Sequence, residues 1–289
     1  MIYDTPSFRP AGDRYALVEL GNEMNLELNF KAQGLAAAVR ESGVSGVIET
    51  GPCFASLLIH YDPQIIGFDD LKREVLQLAS ALGPTDALEL DSRLFILPAM
   101  YADPWTKAAY DDYVAKIGPK PYDPELVAEA NGLPDLKALE RTHSATEYWV
   151  SALGFWPGLP FMMALDPRCM LSAPKYNPPR TWTPQGALGL GGASNSIYPV
   201  NTPGGYQVLG RTPAPIWDAE GRYEIFGDSA CLFRPGDRVR YTPIGRDEYE
   251  AYEAAVNEGR YVYNVIEYQR FSVKNYQNWL ASIDPAAKF

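Results

Sequence analysis

Residues 175–212 read KYNPPRTWTPQGALGLGGASNSIYPVNTPGGYQVLGRT, packing two arginines, four aromatics and two adjacent glycine pairs into a stretch with no helical period. Each of these residue types can do chemistry. Arg180 and Arg211 offer the planar fork that grips a carboxylate through two parallel hydrogen bonds. Gly191-Gly192 and Gly204-Gly205 lack Cβ atoms, so their backbone N–H groups can close around an anionic oxygen as a nest. Tyr198 and Gln207 can donate or accept at an amide-like group, and upstream His143 can exchange a proton near neutral pH. The same residues have plainer uses: glycine pairs serve turns and bulges, an arginine pairs with a surface acid, and Tyr198 packs as a ring. His60, within LLIHYD, reads as a half-buried structural residue.

Several chemistries are absent from the text. There is no GxxxxGK[ST], GxSxG or HExxH, and GALGLGGAS lacks the third glycine of a dinucleotide fingerprint and opens no helix. Two histidines and three scattered cysteines fit no metal-ligand spacing, so no metal is expected. Cys53, Cys169 and Cys231 are odd in number and far apart, which argues against a disulfide framework and for three small semi-buried hydrophobes in a reducing compartment. The formal net charge of −11 excludes a phosphate-binding face, hence no nucleic acid and no anionic membrane surface. The N-terminus shows no signal-peptide pattern and no apolar run is long enough to span a bilayer, which predicts a cytoplasmic protein.

The elements that position these residues fall into two parts, as 289 residues lead one to expect. Residues 1–101 read as an α/β unit. DRYALVELG is a strand and MNLELNFKAQGLAAAVRES a helix stopped at Gly43. Two strands flank Gly51-Pro52, FDDLKREVLQLASALG is an amphipathic helix with Asp69 and Asp70 in its first turn, and SRLFILPAMY closes as a strand. The order β-α-β-β-α-β predicts a ferredoxin-like sandwich. Residues 102–143 alternate helical pieces with prolines and read as a connecting excursion. From 144 to 289 a helical period persists only through ATEYWVSALGF. Short apolar runs between turn residues then predict a β-barrel or compact sandwich, followed by two C-terminal helices, the second capped by Ser272. The fold class is therefore α+β, and residues 175–212 are turns and short strands rather than a linker.

THSATEYWVSALGFWPGLPFMMALDPR followed by GALGLGGASNSIYPVNTPGGYQVLGRTPAPIWD resembles the signature of the family that comprises the 5-oxoprolinase B-subunit, allophanate hydrolase subunit 1 and KipI. The likeness is carried by His143, Ser144 and Tyr148, by the loop Gly154, Phe155, Pro157, Gly158 and Pro160, and by Ile197-Tyr198-Pro199, Pro203-Gly204-Gly205, Gln207 and Gly210-Arg211-Thr212. KYNPPRTW, the 102–141 excursion and FSVKNYQNWLASI are similar to the urea-carboxylase carboxyltransferase branch. Leu159 stands where the family usually has Phe, and Ser194-Asn195-Ser196 replaces its usual Gln-Thr-Gly, which adds Asn195 to the residues facing substrate.

The resemblance implies a cyclophilin-like barrel as the second domain. It further implies a carboxyltransferase subunit that helps move CO2 from carboxybiotin to an amide-type nitrogen of urea, guanidine or another amide. His143, Tyr198 and Gln207 become its candidate catalytic residues; Arg180, Arg211, Gly191, Gly192, Asn195, Gly204 and Gly205 become its candidate substrate contacts. No Lys stands beside any Met, so the expected cofactors, biotin on a carrier and ATP, act on other chains: a subunit-2-type carboxyltransferase partner and a biotin carboxylase with its carrier. The alternatives are the B-subunit of an ATP-dependent 5-oxoprolinase, a lactam hydrolase, and a regulator of the KipI kind that inhibits a kinase.

Overall fold

The computed structural model describes residues 1–267 and 269–287 and divides into two compact units. The first is built from Met1–Ser92 together with a returning C-terminal stretch that ends at Ile283. Strands β1 (Ile2–Pro10), β2 (Tyr15–Gly21), β3 (Val47–Pro52) and β4 (Ser56–Tyr61) form an antiparallel sheet of order β1-β2-β4-β3. Helices α1 (Leu26–Glu41) and α2 (Phe68–Ala81) supply its apolar cover. The Asn25 side chain accepts from the Glu27 N–H and starts α1, while Asp69 and Asp70 lie where the positive end of the α2 dipole favours them. Val18, Leu28, Leu35, Leu57, Ile59, Leu71 and Val75 are fully or almost fully buried between the layers.

The ferredoxin-like plan survives with one exchange. The N-terminal ten residues, whose text carries no strand pattern, form β1 along β2 and take the edge where the closing strand was expected. The short β5 (Glu89–Asp91) instead pairs with a strand near the C-terminus.

In the second unit, Arg93–Glu267, strand β6 (Leu94–Tyr101) enters the large sheet rather than closing the first unit. Its burial on both faces is the mark of an interior strand. Helices α3 (Pro104–Lys116), α4 (Asp123–Ala130) and α5 (Leu136–Ser144) make up the excursion, α3 capped by Asp103 and α5 by Asp135. His143 thus lies at the end of a helix, not before one. The run ATEYWVSALGF is β7 (Glu147–Leu153), not a helix: its residues are buried on both faces, and an unbroken apolar run has no period to separate the two states.

Strands β8 (Pro160–Ala164), β9 (Arg180–Thr183), β10 (Ala187–Gly191), β11 (Ser194–Ile197), β12 (Thr202–Gly204), β13 (Gln207–Arg211) and β14 (Arg238–Pro243) follow, then α6 (Arg246–Asn257) and β15 (Asn264–Ile266). The order β13-β10-β11-β8-β7-β14-β6, with β6 pairing back onto β13, closes a seven-stranded barrel, and β15 adds to β6. Closure runs through Gly210 opposite Tyr101, where a Cβ would strike the Met100 carbonyl oxygen. Phe95, Leu97, Tyr148, Val150, Met162, Leu188, Ile197, Phe233 and Val239 fill the interior. β9 and β12 form a separate ribbon. The apolar run YEIF forms a short 3-10 turn at Glu224–Phe226 rather than a strand.

The chain then returns to the first unit as β16 (Arg270–Ser272) and α7 (Val273–Ser282), with Ser272 accepting from the Asn275 N–H as its cap. This helix belongs to the first unit rather than extending the barrel. The three cysteines are free; Cys169 is buried, Cys231 half-buried and Cys53 exposed. Among the described residues no helix is long and apolar enough to cross a membrane.

Candidate functional site

Alternation along β11 decides which side chains meet. Asn195 and Ile197 point into the barrel, whereas Ser196 and Tyr198 point to the outer face. On the neighbouring β10 the outward positions are Gly189 and Gly191, and the missing side chains leave room for Tyr206. A Cβ on Gly191 would run into the Tyr206 ring. The result is a pocket of about 160 Å3 on the outer barrel wall, lined by Phe155, Leu159, Phe161, Lys175, Ser196, Tyr198, Gly205 and Tyr206. Leu159, Ala187, Tyr198 and Val208 form the apolar cluster beneath it.

The loop Gly154–Pro160 contributes Phe155 and Leu159 to the pocket. Phe155 holds φ +65°, a left-handed conformation unusual for an aromatic residue, and is 66 % exposed, with Trp156 beside it at 42 %. The loop is tied by hydrogen bonds from the Gly154 and Trp156 N–H groups to the Leu159 and Gly154 carbonyls. Strained backbone carrying exposed aromatics belongs to binding sites more often than to scaffolds. Burial raises the pKa of both the Tyr198 and Tyr206 phenols, keeping them neutral donors at ordinary pH. The Lys175 ammonium lies 5.2 Å from the centroid of the Tyr206 ring.

Of the sequence-derived candidates, only Tyr198 and Gly205 line this pocket. His143 is buried in an aromatic cage inside the barrel. The Tyr101 hydroxyl donates to its Nδ1 over 2.8 Å, its Nε2 lies 3.1 Å from Asn195 Oδ1, and Tyr241 stacks on the ring. Burial drives its pKa down to about 4, so it is neutral near pH 7, and Asn195 is consumed as its partner.

Arg180 and Gln207 belong to a buried ionic cluster centred on Asp123. That carboxylate accepts from Lys120 Nζ at 2.5 Å, from the Tyr176 hydroxyl and from the Val208 N–H at 2.8 Å, with Arg180 at 3.6 Å. Arg180 also donates to the Tyr206 carbonyl and to Thr183, and Gln207 accepts from Lys120 while donating to the Pro174 carbonyl. Burial lowers the pKa of Lys120, partly offset by Asp123. The cluster therefore holds segments 174–180 and 206–208, which carry Lys175 and Tyr206, rather than facing a ligand.

Arg211 is a clamp: it donates to the Gln185 carbonyl at 2.6 Å, pairs with Glu253 and stacks against Trp105 and Tyr249. Gly191 and Gly204 permit close approach, whereas Gly192 holds φ +60° with open space where a Cβ would be and Gly205 lines the pocket. Gly192 exchanges both backbone hydrogen bonds with Ala173, and a Cβ on Gly204 would strike the Tyr198 hydroxyl.

Sequence reading missed Lys175, Ser196, Tyr206, Phe161 and the role of Phe155. The usable signal was the period-two alternation of Ser196 with Tyr198 against Gly189 with Gly191, which puts all four on one face. Among the described residues no cluster of three or more His, Cys, Asp or Glu side chains could hold a metal ion.

Residues 6–226 match the family model described as carboxyltransferase domain, subdomain C and D. Urea amidolyase of Saccharomyces cerevisiae is 31 % identical over 279 residues, a match spanning 94 % of this chain but 15 % of that protein. The 5-oxoprolinase B-subunit of Bacillus subtilis is 30 % identical over 256 residues, covering 85 % of this chain and 96 % of that protein. The crystal structure of Kluyveromyces lactis urea carboxylase superposes with a TM-score of 0.84 at 28 % identity, over 98 % of this chain and 26 % of that one.

Proposed function

The chain belongs to the carboxyltransferase family of subdomains C and D, and from that premise we propose that it is the subunit-1-type carboxyltransferase component of a biotin-dependent carboxylase acting on an amide-type nitrogen. The observation that carries this reading is the outer-wall pocket, whose lining combines Ser196, Tyr198 and Lys175 with Phe155, the positive-φ residue of the Gly154–Pro160 loop.

An amide nitrogen is a poor nucleophile because its lone pair is delocalised onto oxygen. A site that activates it must hold the carbonyl oxygen with fixed donors and present the nitrogen to the incoming carboxyl group. Ser196, on strand β11, and Tyr198, just past its end, bring hydroxyls to the pocket, and the Tyr198 phenol is fixed by hydrogen bonds with Thr183 and the Tyr206 backbone. The acceptor nitrogen would exchange its proton for the carboxyl group, the proton passing to the group that delivers it, while Ser196 and Tyr198 hold the acceptor's carbonyl oxygen. Carboxybiotin, arriving on a partner's carrier, supplies the transferable carboxyl group. Phe155, exposed in the pocket lining, and its exposed neighbour Trp156 would gain by covering an apolar face of the incoming group.

The test is turnover in the complex reconstituted with a subunit-2-type carboxyltransferase chain, a biotin carboxylase and its carrier. Tyr198→Phe and Ser196→Ala are expected to lower kcat by about tenfold or more at unchanged folding, the scale of a lost transition-state hydrogen bond. Wild-type kcat in both variants would remove the pocket from the reaction.

One observation favours a second reading, the B-subunit of an ATP-dependent 5-oxoprolinase: the match spans nearly the whole of the Bacillus subtilis protein. Avidin-insensitive, ATP-driven opening of 5-oxoproline would select it.

A further inference from the structure

We propose that Thr183 is a positioning residue for Tyr198: gripped by the Arg180 guanidinium on one side, it gives its hydroxyl hydrogen to the Tyr198 oxygen and so turns the Tyr198 hydroxyl hydrogen into the outer-wall pocket. The inference rests on the proposed site and adds the residues that orient its donor.

Hydrogens and lone pairs decide the direction of each bond. Thr183 is fully buried, and its Oγ1 accepts from Arg180 Nε at 3.3 Å and from Arg180 Nη2 at 3.1 Å. A hydroxyl oxygen has two lone pairs, so both are taken, and the bond between Thr183 and Tyr198 can only be a donation from Thr183. The Tyr206 carbonyl is occupied by Arg180 Nη1 at 2.6 Å, and the Tyr206 N–H is the backbone group that donates to the Tyr198 oxygen. The phenol thus accepts twice. Among the described residues no protein group accepts its own hydrogen, which is left for the pocket that Tyr198 lines.

The two hydroxyls meet because the chain leaves room for them. Both oxygens crowd the bare side of Gly204: a Cβ there would strike the Tyr198 hydroxyl and come within 2.8 Å of Thr183 Oγ1. Across the β9–β12 ribbon Gly204 pairs with Arg180 and Thr202 with Thr183, so the same short ribbon supplies the fork, the hydroxyl and the gap. Asp123, 3.6 Å from Arg180 Nη1, holds the fork from behind. The buried ionic cluster therefore reaches the pocket through Thr183. A cation donating to the Thr183 oxygen makes its O–H a stronger donor, and the phenol that receives this bond becomes a stronger donor in turn. Burial raises the pKa of Tyr198, and the Arg180 charge, the Tyr206 N–H and the Thr183 hydroxyl oppose that rise.

The experiment places difluorotyrosine at position 198 of the full chain, where its more acidic phenol ionises while the protein is folded, and follows that ionisation by fluorine NMR. Thr183→Val keeps the shape and loses the hydroxyl; it is expected to make the phenol about tenfold weaker as an acid, the worth of one hydrogen bond. Thr183→Ser restores the wild-type ionisation. Arg180→Lys keeps the charge beside Asp123 but loses the fork, and is expected to weaken the acid in the same direction, which tests the arrangement even where Thr183→Val does not fold. In the reconstituted complex Thr183→Val lowers kcat about tenfold with KM little changed, and it costs nothing further when added to Tyr198→Phe. Unchanged ionisation in Thr183→Val or Arg180→Lys, a Thr183→Ser chain that behaves as Thr183→Val does, or losses that add in the double variant would each overturn the inference. The carboxyltransferase reading fails separately: shifted ionisation in a complex that carries out no carboxylation removes the reading and keeps the role of Thr183. Carboxylation that Tyr198→Phe weakens, with ionisation indifferent to Thr183, does the reverse.

Discussion

Asp123 shows how a buried charge can serve a site it does not touch. It sits 3 % exposed among Lys120, Tyr176, Arg180 and the Val208 N–H, and these partners carry the segments on which Lys175 and Tyr206 stand. Asp123→Asn removes the counter-charge of two buried cations, and a loss of roughly 3–5 kcal/mol in urea unfolding is expected. Arg211→Ala should also act on stability, since it unties Gln185 from α6 and empties the space between Trp105 and Tyr249.

His143 makes a pH prediction. Its folded pKa of about 4 lies below the ordinary 6.5, so the unfolded chain binds the proton more readily. The stability held by the neutral ring is complete above pH 6.5 and is lost as pH falls toward 4, by about 3 kcal/mol in all. Tyr101, Tyr148, Tyr241 and Asn195 surround the ring, and among the described residues no acid within contact compensates the charge. The urea midpoint should fall between pH 7.5 and 4.5 in wild type and change less in His143→Gln. Residue types alone pointed to His143, Arg180, Arg211 and Gln207 because imidazole, guanidinium and amide groups are versatile. The same versatility is what a buried network uses to satisfy itself, and only the fold separates the two uses.

At the scale of elements, glycines decide where strands can meet. A side chain at Gly210 would press on the Met100 carbonyl where β13 closes onto β6, so Gly210→Ala is expected to cost about 1–3 kcal/mol in thermal or urea unfolding. Gly191→Ala presses on the Tyr206 ring instead, and the expected result is loss of ligand binding with a smaller effect on stability. These two outcomes separate barrel closure from pocket shape.

Helix α2 was legible in its amphipathic period and end signals, α1 in its helical apolar spacing stopped by Gly43, and the cap of α7 in Ser272. β7 was not, because an interior strand is apolar on both faces. β1 was missed because its polar, proline-bounded text makes an edge strand whose partner, not its pattern, creates it. The placement of β6 in the barrel is a long-range choice: it pairs in parallel with β14, more than a hundred residues away, and no local window contains that information.

For the whole molecule, the exposed Phe155 and Trp156 loop and the acid-free pocket make sense in a component that receives a group from elsewhere. The chain spans a minor part of the urea amidolyase and urea carboxylase it resembles and most of the 5-oxoprolinase B-subunit, so partners belong to the account in either setting. The most direct test of the central claim is ATP- and bicarbonate-dependent product formation by the complex reconstituted with a subunit-2-type chain, a biotin carboxylase and its carrier, assayed on urea, guanidine and 5-oxoproline with and without avidin. The account predicts bicarbonate-dependent carboxylation that avidin abolishes and Tyr198→Phe weakens. Turnover that needs neither bicarbonate nor biotin, or that is indifferent to Tyr198, would contradict it.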